Sequence, residues 1–220
     1  MTDRREGLMN ALKSQNLNLA REILQVEPDA ANMRMASGGS ILQMAVYMGA
    51  DEFIELLFEH GATADIWTAA AIGDVAMVAS ALEANGRDTA SRSHDGWTPL
   101  HLAAHFGKAE ACASLIAAGA DVHAVSTNDL RNQPLHAAIA GNSEAVVHLL
   151  LRAGADVNIA QHGGFTPLHG AAQHGAESLV DELLKLGANP RATTAEGMDA
   201  AALAEAAGFS ALALRLRSSS

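Results

Sequence analysis

Short stretches of apolar residues recur along the chain at helical spacing, with polar turns between them. One such stretch contains Val146, Val147, Leu149, Leu150 and Leu151. Residues three and four positions apart share one face of an α-helix, so this pattern predicts an amphipathic helix. No stretch of useful length alternates apolar and polar residues as a β-strand does. The hydrophobic pattern therefore predicts an all-α protein.

A second kind of helical stretch precedes these and has small residues at its centre, as in Ala103-Ala104, where a neighbouring helix can approach closely. Thr98 is suited to cap such a helix, because its side-chain oxygen can accept a hydrogen bond from a free main-chain N–H. Pro99 suits the first helical position, where no N–H donor is needed. Ser40, Thr166 and Asp199 repeat the cap chemistry further along the chain.

The same start signal occurs three times. Thr98-Pro99-Leu100-His101 returns as Thr166-Pro167-Leu168-His169, with the variant Gln133-Pro134-Leu135-His136 between them. A glycine follows each histidine after 18 residues, and glycine readily takes the left-handed conformation that ends many helices. Asn85 stands where the third unit needs this stop. One unit is therefore a start signal, two helices and a glycine stop.

Turn-forming residues between the two helices extend this frame to seven units. Their spacings are 34, 24, 34, 35, 33 and 33 residues, in the series Gln15, Gly49, Gly73, Gly107, Asn142, Gly175 and Gly208. The predicted units of this single domain, 1–220, are approximately 5–35, 36–63, 64–90, 91–123, 124–158, 159–191 and 192–217. In the short step, Gly61 is followed almost directly by Ile66, so about ten residues of connecting loop are absent there.

Composition excludes several classes of function. The net charge is −11, which disfavours binding to nucleic acid or to an anionic membrane. The single cysteine, Cys112, cannot form an intrachain disulfide and fits a reducing compartment. We expect neither a signal peptide nor a membrane span, because no apolar run is long enough, and we place the protein in the cytoplasm.

The signature Thr98-Pro99-Leu100-His101-Leu102-Ala103-Ala104, followed by Gly107 and Gly119-Ala120-Asp121, resembles the ankyrin repeat. The resemblance covers nearly all of the chain and weakens in the terminal units. It implies a solenoid of about seven stacked helix-turn-helix units, with finger loops along one edge. The fingers and the first helices would form a concave face. In this family the signature histidine bonds to its threonine and to neighbouring main chain, which would occupy His101, His136 and His169. Gln133 replaces the threonine in the second case, so the bonding of His136 is open.

Catalytic and metal sites are not predicted. His101 and His105 stand four residues apart, like half of a zinc site, but no glutamate lies between them and no third ligand is evident. Cys112 lies in a predicted second helix, where a buried thiol is ordinary. We therefore expect no enzyme, no cofactor and no bound metal.

The resemblance instead implies that the fingers, the residue before each start signal and the two residues after each alanine pair face a partner protein. In unit four the mapped positions include Asp95, and in the other units they include Met48, Asn128, Leu130, Asn132 and Gln173. Aromatic rings on an accessible face are common in binding hot spots. The predicted partner-binding set, which combines such rings with histidines, is Tyr47, Arg92, His94, Trp97, His105, Phe106, Arg131, His162, Phe165 and His174.

The predicted function is thus a non-catalytic, monomeric scaffold that binds another protein. One alternative is a metal- or small-ligand-binding protein that uses the histidine-lined groove. Another is a substrate for modification, because Asp156-Val157-Asn158 resembles the loop hydroxylated on asparagine in animal ankyrin proteins, although His123 takes the equivalent place in unit four. The absent finger is expected to interrupt the finger edge and to make the softest joint of the array.

Overall fold

The computed structural model describes residues 2–36, 38–84, 86 and 88–218, with the main chain alone for residues 2–5. No residue in this described part belongs to a β-strand; one isolated bridge pairs Arg34 with Ser40. The predicted all-α fold is confirmed. Its helices are α1 Thr2–Lys13, α2 Leu17–Val26, α3 Ile41–Tyr47, α4 Asp51–Glu59, α5 Ile66–Ile72, α6 Val75–Ala84, α7 Pro99–His105, α8 Ala109–Ala117, α9 Pro134–Ala140, α10 Glu144–Arg152, α11 Pro167–Gln173, α12 Glu177–Lys185, α13 Ala200–Ala206 and α14 Ser210–Ser218.

The helices stack as a solenoid of two layers. From α3 to α13 each odd-numbered helix packs against the next odd-numbered one, and α6, α8 and α10 form a parallel row behind them. Consecutive helices such as α7 and α8 also pack against each other. The short first helices carry the alanine pairs that the sequence places at their centres, and Ala103, Ala104, Ala137 and Ala138 are fully buried. Small side chains therefore let the stacked helices approach closely. The exact unit boundaries stay a prediction.

The turns between paired helices all use the left-handed conformation. Five of the seven turn residues named from the sequence are glycines with positive φ, and Gln15 and Asn142 adopt φ of 53° at the other two places. Residues with a side chain disfavour this conformation, although asparagine disfavours it less than most. Because the backbone needs it even at Gln15, the turn geometry is imposed by the packing of the two helices.

Side-chain caps begin the first helices much as predicted. Ser40 accepts from the N–H of Gln43 at 3.0 Å, and Asp199 accepts from that of Ala202 at 2.7 Å. Thr98 accepts from the N–H of His101 at 3.3 Å. Asp65, which the sequence pattern did not indicate as a cap, begins α5 by accepting from the N–H of Thr68 at 2.9 Å. Asn85, the predicted stop of the third unit, lies outside the described residues.

Finger loops project between helix pairs and form a main-chain ladder. Each is a tight hairpin, as in the loop where the N–H of Ser93 bonds the carbonyl of Trp97. Neighbouring fingers are joined by single bonds from Thr127 to Gly96, from His162 to Leu130 and from Ala195 to Gly163, at 3.0, 2.9 and 2.7 Å. The loops before α7, α9, α11 and α13 are therefore fixed relative to one another.

Side chains bridge the place of the absent finger before α5, where no main-chain bond between described residues joins the loops on either side. The loop before α3 reaches the loop before α7 directly: a Cβ built on Gly39 would lie 2.9 Å from Cε1 of His94. The hydroxyl of Tyr47 also lies 3.0 Å from Oδ2 of Asp95. Because no finger stands between them, the fingers of the second and fourth units meet through side chains.

The buried core is divided at the same place. One apolar cluster runs from Leu8 to Ala62, and a second runs from Ile66 to Leu216. A small third cluster of Val46, Ala71 and Leu102 spans the division. None of the described helices has the length and apolar character needed to cross a lipid bilayer.

Candidate functional site

A row of aromatic rings crosses the face built by the first helices. Tyr47 stacks on Phe106 with ring centres 5.6 Å apart, Phe106 meets His105 edge-on at 5.1 Å, and His105 meets Trp97 edge-on at 5.3 Å. All four belong to the predicted partner-binding set, and the structure brings them into one continuous row. The row runs across the absent finger, so the face is continuous where the ladder is not.

Tyr47 is held in this row by buried polar contacts. Its hydroxyl donates to Asp95 at 3.0 Å and accepts from the side-chain amide of Gln43 at 3.0 Å. Burial, together with the Asp95 carboxylate, raises the pKa of Tyr47 far above its usual value, so its hydroxyl stays protonated. Ser93 also donates to Asp95. The roles of Gln43 and Ser93 were missed, because Tyr47 and Asp95 are 48 residues apart and no local pattern joins them.

Four predicted residues line one cleft on this face. Trp97, His105, Phe165 and His174 surround a space of about 350 Å³ between α7, α9 and α11. Its walls are completed by residues outside the predicted partner-binding set, which include Leu130, Asn132, His136, Ile139 and Gly170. Of these, His136 was predicted to be structural, and no sequence pattern singled out Ile139 or Gly170. Two of these, Leu130 and Asn132, were mapped to the face but not placed in the predicted set. We call this space the central cleft.

The other predicted residues lie outside the central cleft. Arg131 and His162 are exposed and line a depression of about 560 Å³ among the finger tips. Tyr47 and Phe106 border a wider depression of about 700 Å³ with Lys108. The remaining two, Arg92 and His94, lie in the finger before α7, with His94 against Gly39. The ten residues are therefore distributed over the central cleft, two other depressions and the finger before α7.

The three signature histidines are structural, as the resemblance implies. The Nε2–H of His101 donates to the carbonyl of Asn132 at 3.0 Å, which leaves Nδ1 to accept from the hydroxyl of Thr98 at 2.7 Å. His169 repeats this arrangement with Thr166 and the carbonyl of Ala192. Each ring thus ties a first helix to the loop that precedes the next unit.

His136 keeps the same role without a threonine. Its Nδ1 accepts from the N–H of Gln133 at 3.3 Å, and its Nε2–H is shared between the carbonyls of Ile159 and Phe165 at 3.1 and 3.2 Å. Burial lowers the pKa of His101 and of His136 to about 4. Both rings are therefore neutral at pH 7.

The described residues offer little for metal binding or nucleophilic chemistry. No three of their His, Cys, Asp and Glu side chains lie close enough to hold an ion. Cys112 is fully buried, and burial raises the pKa of its thiol to about 12. A thiol must ionise to act as a nucleophile, so Cys112 is a packing residue.

The side chain of Asn158 makes hydrogen bonds to the next unit. Its side-chain amide donates to the carbonyl of Gly187 at 2.9 Å and accepts from the N–H of Asn189 at 2.8 Å. Asn32 makes the equivalent pair of bonds to Gly61 and Thr63, a likeness the sequence analysis missed. The two asparagines link successive units behind the fingers, and modification of Asn158 stays a prediction.

Comparison with known proteins agrees with this architecture. The family model for ankyrin repeats (3 copies) matches residues 66–161 and 124–194. The neurogenic locus Notch protein of Drosophila melanogaster is 40% identical over 94 residues, which is 42% of this chain and 3% of that protein. The B-cell lymphoma 3 protein homolog of Mus musculus is 32% identical over 155 residues, 70% of this chain and 32% of that protein.

A third relative is protein phosphatase 1 regulatory subunit 12A of Mus musculus, 34% identical over 80 residues, 36% of this chain and 5% of that protein. The chain thus spans a third or less of the length of these three relatives. The family match covers more than half of the chain and agrees with the histidine bonding and the finger loops. The chain belongs to the ankyrin repeat family.

Proposed function

We propose that this protein is a non-catalytic, cytoplasmic interaction module that binds a partner protein, as a monomer, through its concave face and finger loops. The observation that carries the proposal is the continuous row Tyr47, Phe106, His105 and Trp97. Rings on an accessible face supply much of the binding energy in protein interfaces. The row leads into the central cleft, so both features lie on one surface.

The relatives support the same class of function. One of them is, by its name, a regulatory subunit of a protein phosphatase, and the buried, protonated Cys112 gives no nucleophile. The net charge of −11 argues against nucleic acid as the partner. A protein surface with uncharged or basic groups fits this face better.

The test is removal of two rings from the face. A Trp97→Ala, Phe165→Ala variant should lose at least about 2 kcal/mol of binding free energy, or roughly thirtyfold in affinity. The partner would be captured on the immobilised intact chain, identified, and then measured by calorimetry against both proteins. A Val26→Ala, Leu214→Ala variant is the matched control, because these side chains are 64% and 65% exposed outside the cleft. Equal affinity of the folded ring variant and the control would refute this placement.

The ligand-binding alternative is favoured by one observation, that His105, His136 and His174 all line the central cleft. Both ring nitrogens of His136 are already hydrogen-bonded, which leaves it poorly suited to bind a metal. Zinc titration read through Trp97 fluorescence separates the two functions. A saturable response at one zinc per chain would favour the alternative.

A further inference from the structure

The loop before α9 differs from the other finger loops at one position. In the loops before α3, α7, α11 and α13, a glycine with positive φ donates its N–H to a carbonyl earlier in the same loop; these are Gly38, Gly96, Gly164 and Gly197, with φ of 99°, 83°, 77° and 77°. Arg131 takes this place before α9, with φ of 46° and its N–H bonded to the carbonyl of Asn128 at 3.1 Å. A residue with a side chain is strained in the left-handed conformation. The fold alone would therefore favour glycine at position 131.

A side chain at this position points toward the following finger. A Cβ built on Gly96 would lie 2.7 Å from Oγ1 of Thr127, in the loop before α9, and one built on Gly164 would lie 3.0 Å from a carbonyl oxygen in the loop before α13. Glycine thus lets these loops stack closely. By the same geometry, the side chain of Arg131 leaves the main chain on the side of the loop before α11, where His162 lies.

Arg131 and His162 line the same space, the depression of about 560 Å³ that we call the finger-tip depression. The main-chain N–H of His162 donates to the carbonyl of Leu130 at 2.9 Å, which holds the two loops side by side. Neither the guanidinium of Arg131 nor the ring of His162 forms a hydrogen bond or an ion pair with any described residue. Both side chains are exposed, so their N–H donors are available to a ligand.

Most other polar side chains of the finger-tip depression bond within the fingers. Ser126 donates to Oδ1 of Asn128 at 2.8 Å, and the side-chain amide of Asn128 donates to the carbonyl of Asp95 at 3.0 Å. The exception is Asp129, whose carboxylate forms no ion pair with Arg131. The groups available to a ligand are therefore one permanent cation, one imidazole and one carboxylate.

Two other finger arginines are less available. Arg34 is paired with Asp65 at 3.3 Å, and Arg92 is half-buried. Arg191, in the loop before α13, is exposed but does not have a positive φ. Arg131 thus combines an exposed, unpaired cation with a strained main chain, and strain of this kind is concentrated at functional sites.

A carboxylate fits the finger-tip depression better than a phosphate does. The planar guanidinium forms two parallel hydrogen bonds with a carboxylate, and an imidazole N–H supplies a further donor. A phosphorylated side chain carries a charge of about −1.5 to −2 at neutral pH, so Asp129 and the net charge of −11 repel it more strongly.

We propose that Arg131 and His162 receive the carboxylate of an aspartate or glutamate side chain of the partner protein. This inference rests on the proposed function and narrows it: the partner carries an acidic residue opposite the finger tips before α9 and α11. Glycine at position 131 would remove the strain but would supply no cation. A charge at the edge of an interface acts mainly on the association rate and on its salt dependence.

The direct test uses the intact chain at low ionic strength, with N-acetyl-aspartic acid amide and its uncharged isostere N-acetyl-asparaginamide as probes. The charged probe should shift the main-chain ¹H–¹⁵N signals of Arg131 and His162 saturably, and the isostere should not. Binding should be weak, with a Kd of about 1 mM or more, because an exposed ion pair adds no more than about fivefold in affinity. In about 1 M sodium chloride, which screens exposed charges, the shift should disappear. The signal of Arg191 is the internal control and should move far less.

Charge variants test each group of the site. Arg131→Gln should remove the response, and Arg131→Lys should weaken it, because an ammonium group cannot form the two parallel bonds. Asp129→Asn should strengthen binding of the charged probe about twofold to threefold, because it removes an exposed like charge beside the ligand. Arg191→Gln is the matched control and should leave binding unchanged.

Arg131→Gly separates binding from stability. Glycine relieves the left-handed strain, so the urea midpoint should rise while the response to the charged probe is lost. A lower midpoint would show that the arginine contributes contacts to the fold, which would overturn the argument that it is present for binding.

The captured partner gives an independent measurement. Arg131→Gln should lower the association rate several-fold at low salt and flatten its dependence on salt concentration, whereas Arg191→Gln should do neither. Equal effects of the two variants would show a general charge effect and would count against the site.

Several probe results would overturn the inference. They are equal shifts with the charged probe and its isostere, an equal response at Arg191, and weaker binding of the charged probe to Asp129→Asn. Tighter binding of N-acetyl-phosphoserinamide than of the aspartate probe would assign the site to phosphate and refute the carboxylate. If the probes fail but the ring variant still loses its partner, the proposed function stands without this site. If the probes bind but the ring variant keeps its partner at full affinity, the site stands and the placement of the partner on the concave face falls.

Discussion

A single buried side chain links successive units of this solenoid. His101 accepts from the threonine that caps its own helix and donates to the carbonyl of Asn132, 31 residues later. The ring therefore stabilises both the start of α7 and the loop before α9. Where Gln133 replaces the threonine, His136 still reaches the next loop through Ile159 and Phe165. The link to the following unit is thus the part of the arrangement that all three histidines share.

Replacement of His101 should destabilise the protein more than replacement of an exposed histidine. His101→Ala removes a fully buried ring and leaves the carbonyl of Asn132 without its donor. The expected loss is about 3 kcal/mol of unfolding free energy, from the unpaired group and the cavity together. Urea denaturation followed by circular dichroism measures it. His123→Ala, at an exposed site, is the control and should change the midpoint little; equal effects would show that the histidine link carries no stability.

The same buried histidines set an acid limit on stability. Burial lowers the pKa of His101 and of His136 from 6.5 to about 4, so between these values the unfolded chain binds protons that the folded chain does not. The stabilising contribution is complete above pH 6.5 and is lost as the pH falls toward 4. By linkage it amounts to about 3 kcal/mol per histidine at most.

Thermal unfolding from pH 7 to pH 4.5 checks this dependence. The unfolding temperature should fall on the acid side, and His101→Gln should flatten that fall relative to His123→Gln. A parallel pH dependence in the two variants would exclude His101 as its source.

The turn between paired helices is a structural element that the sequence predicts well, because it depends on one local conformation. Gln15 and Asn142 occupy the left-handed turn that glycine fills in the other five pairs. A non-glycine residue in this conformation is strained by about 1–2 kcal/mol. A change to glycine would relieve this strain but recover only part of it as stability, because glycine also makes the unfolded chain more flexible.

Glycine at these turns should therefore stabilise the protein. Gln15→Gly is expected to raise the unfolding free energy by about 0.5–1 kcal/mol, and Asn142→Gly by less, because asparagine tolerates the left-handed conformation. Gln173→Gly is the matched control: Gln173 ends α11 without a positive φ, so glycine relieves no strain there and should not raise stability. Denaturant midpoints measure all three. Destabilisation by Gln15→Gly would mean that its side chain contributes contacts worth more than the strain.

Elements built from distant residues could not be predicted in this way. Helix starts, alanine pairs and turns are repeated locally, so one copy predicts the others. The central cleft instead depends on Ile139 and Gly170, which are ordinary members of two small-residue helices until the helices are stacked. The contact of Tyr47 with Asp95 exists because a finger is absent between them, and the chain does not encode that distance in any local pattern.

The buried apolar core of the whole solenoid is divided into two clusters. The N-terminal cluster ends at Ala62 and the C-terminal one begins at Ile66, while Val46, Ala71 and Leu102 form a small bridge between them. In a solenoid, stability is approximately a sum of unit and neighbour terms, so a weak junction separates two blocks. The contacts from Tyr47 to Asp95 and from Arg34 to Asp65 reinforce this junction. The second is exposed on the arginine side and so contributes little.

Residues 1–62 should therefore exchange their amide hydrogens faster than the helices from α7 to α12. The C-terminal cluster holds most of the buried core and the main-chain finger ladder, which residues 1–62 enter only through side chains. A fragment that begins near residue 64 should stay folded, with Phe106 newly exposed by the loss of Tyr47. Hydrogen exchange on the intact chain and the urea midpoint of the fragment test both parts. Tyr47→Phe, which removes the hydrogen bonds of the hydroxyl to Asp95 and Gln43, should raise exchange in residues 1–62 alone. Uniform protection of the intact chain, together with an unfolded fragment, would show instead that the second and fourth fingers, once in contact, make one cooperative unit of the whole array.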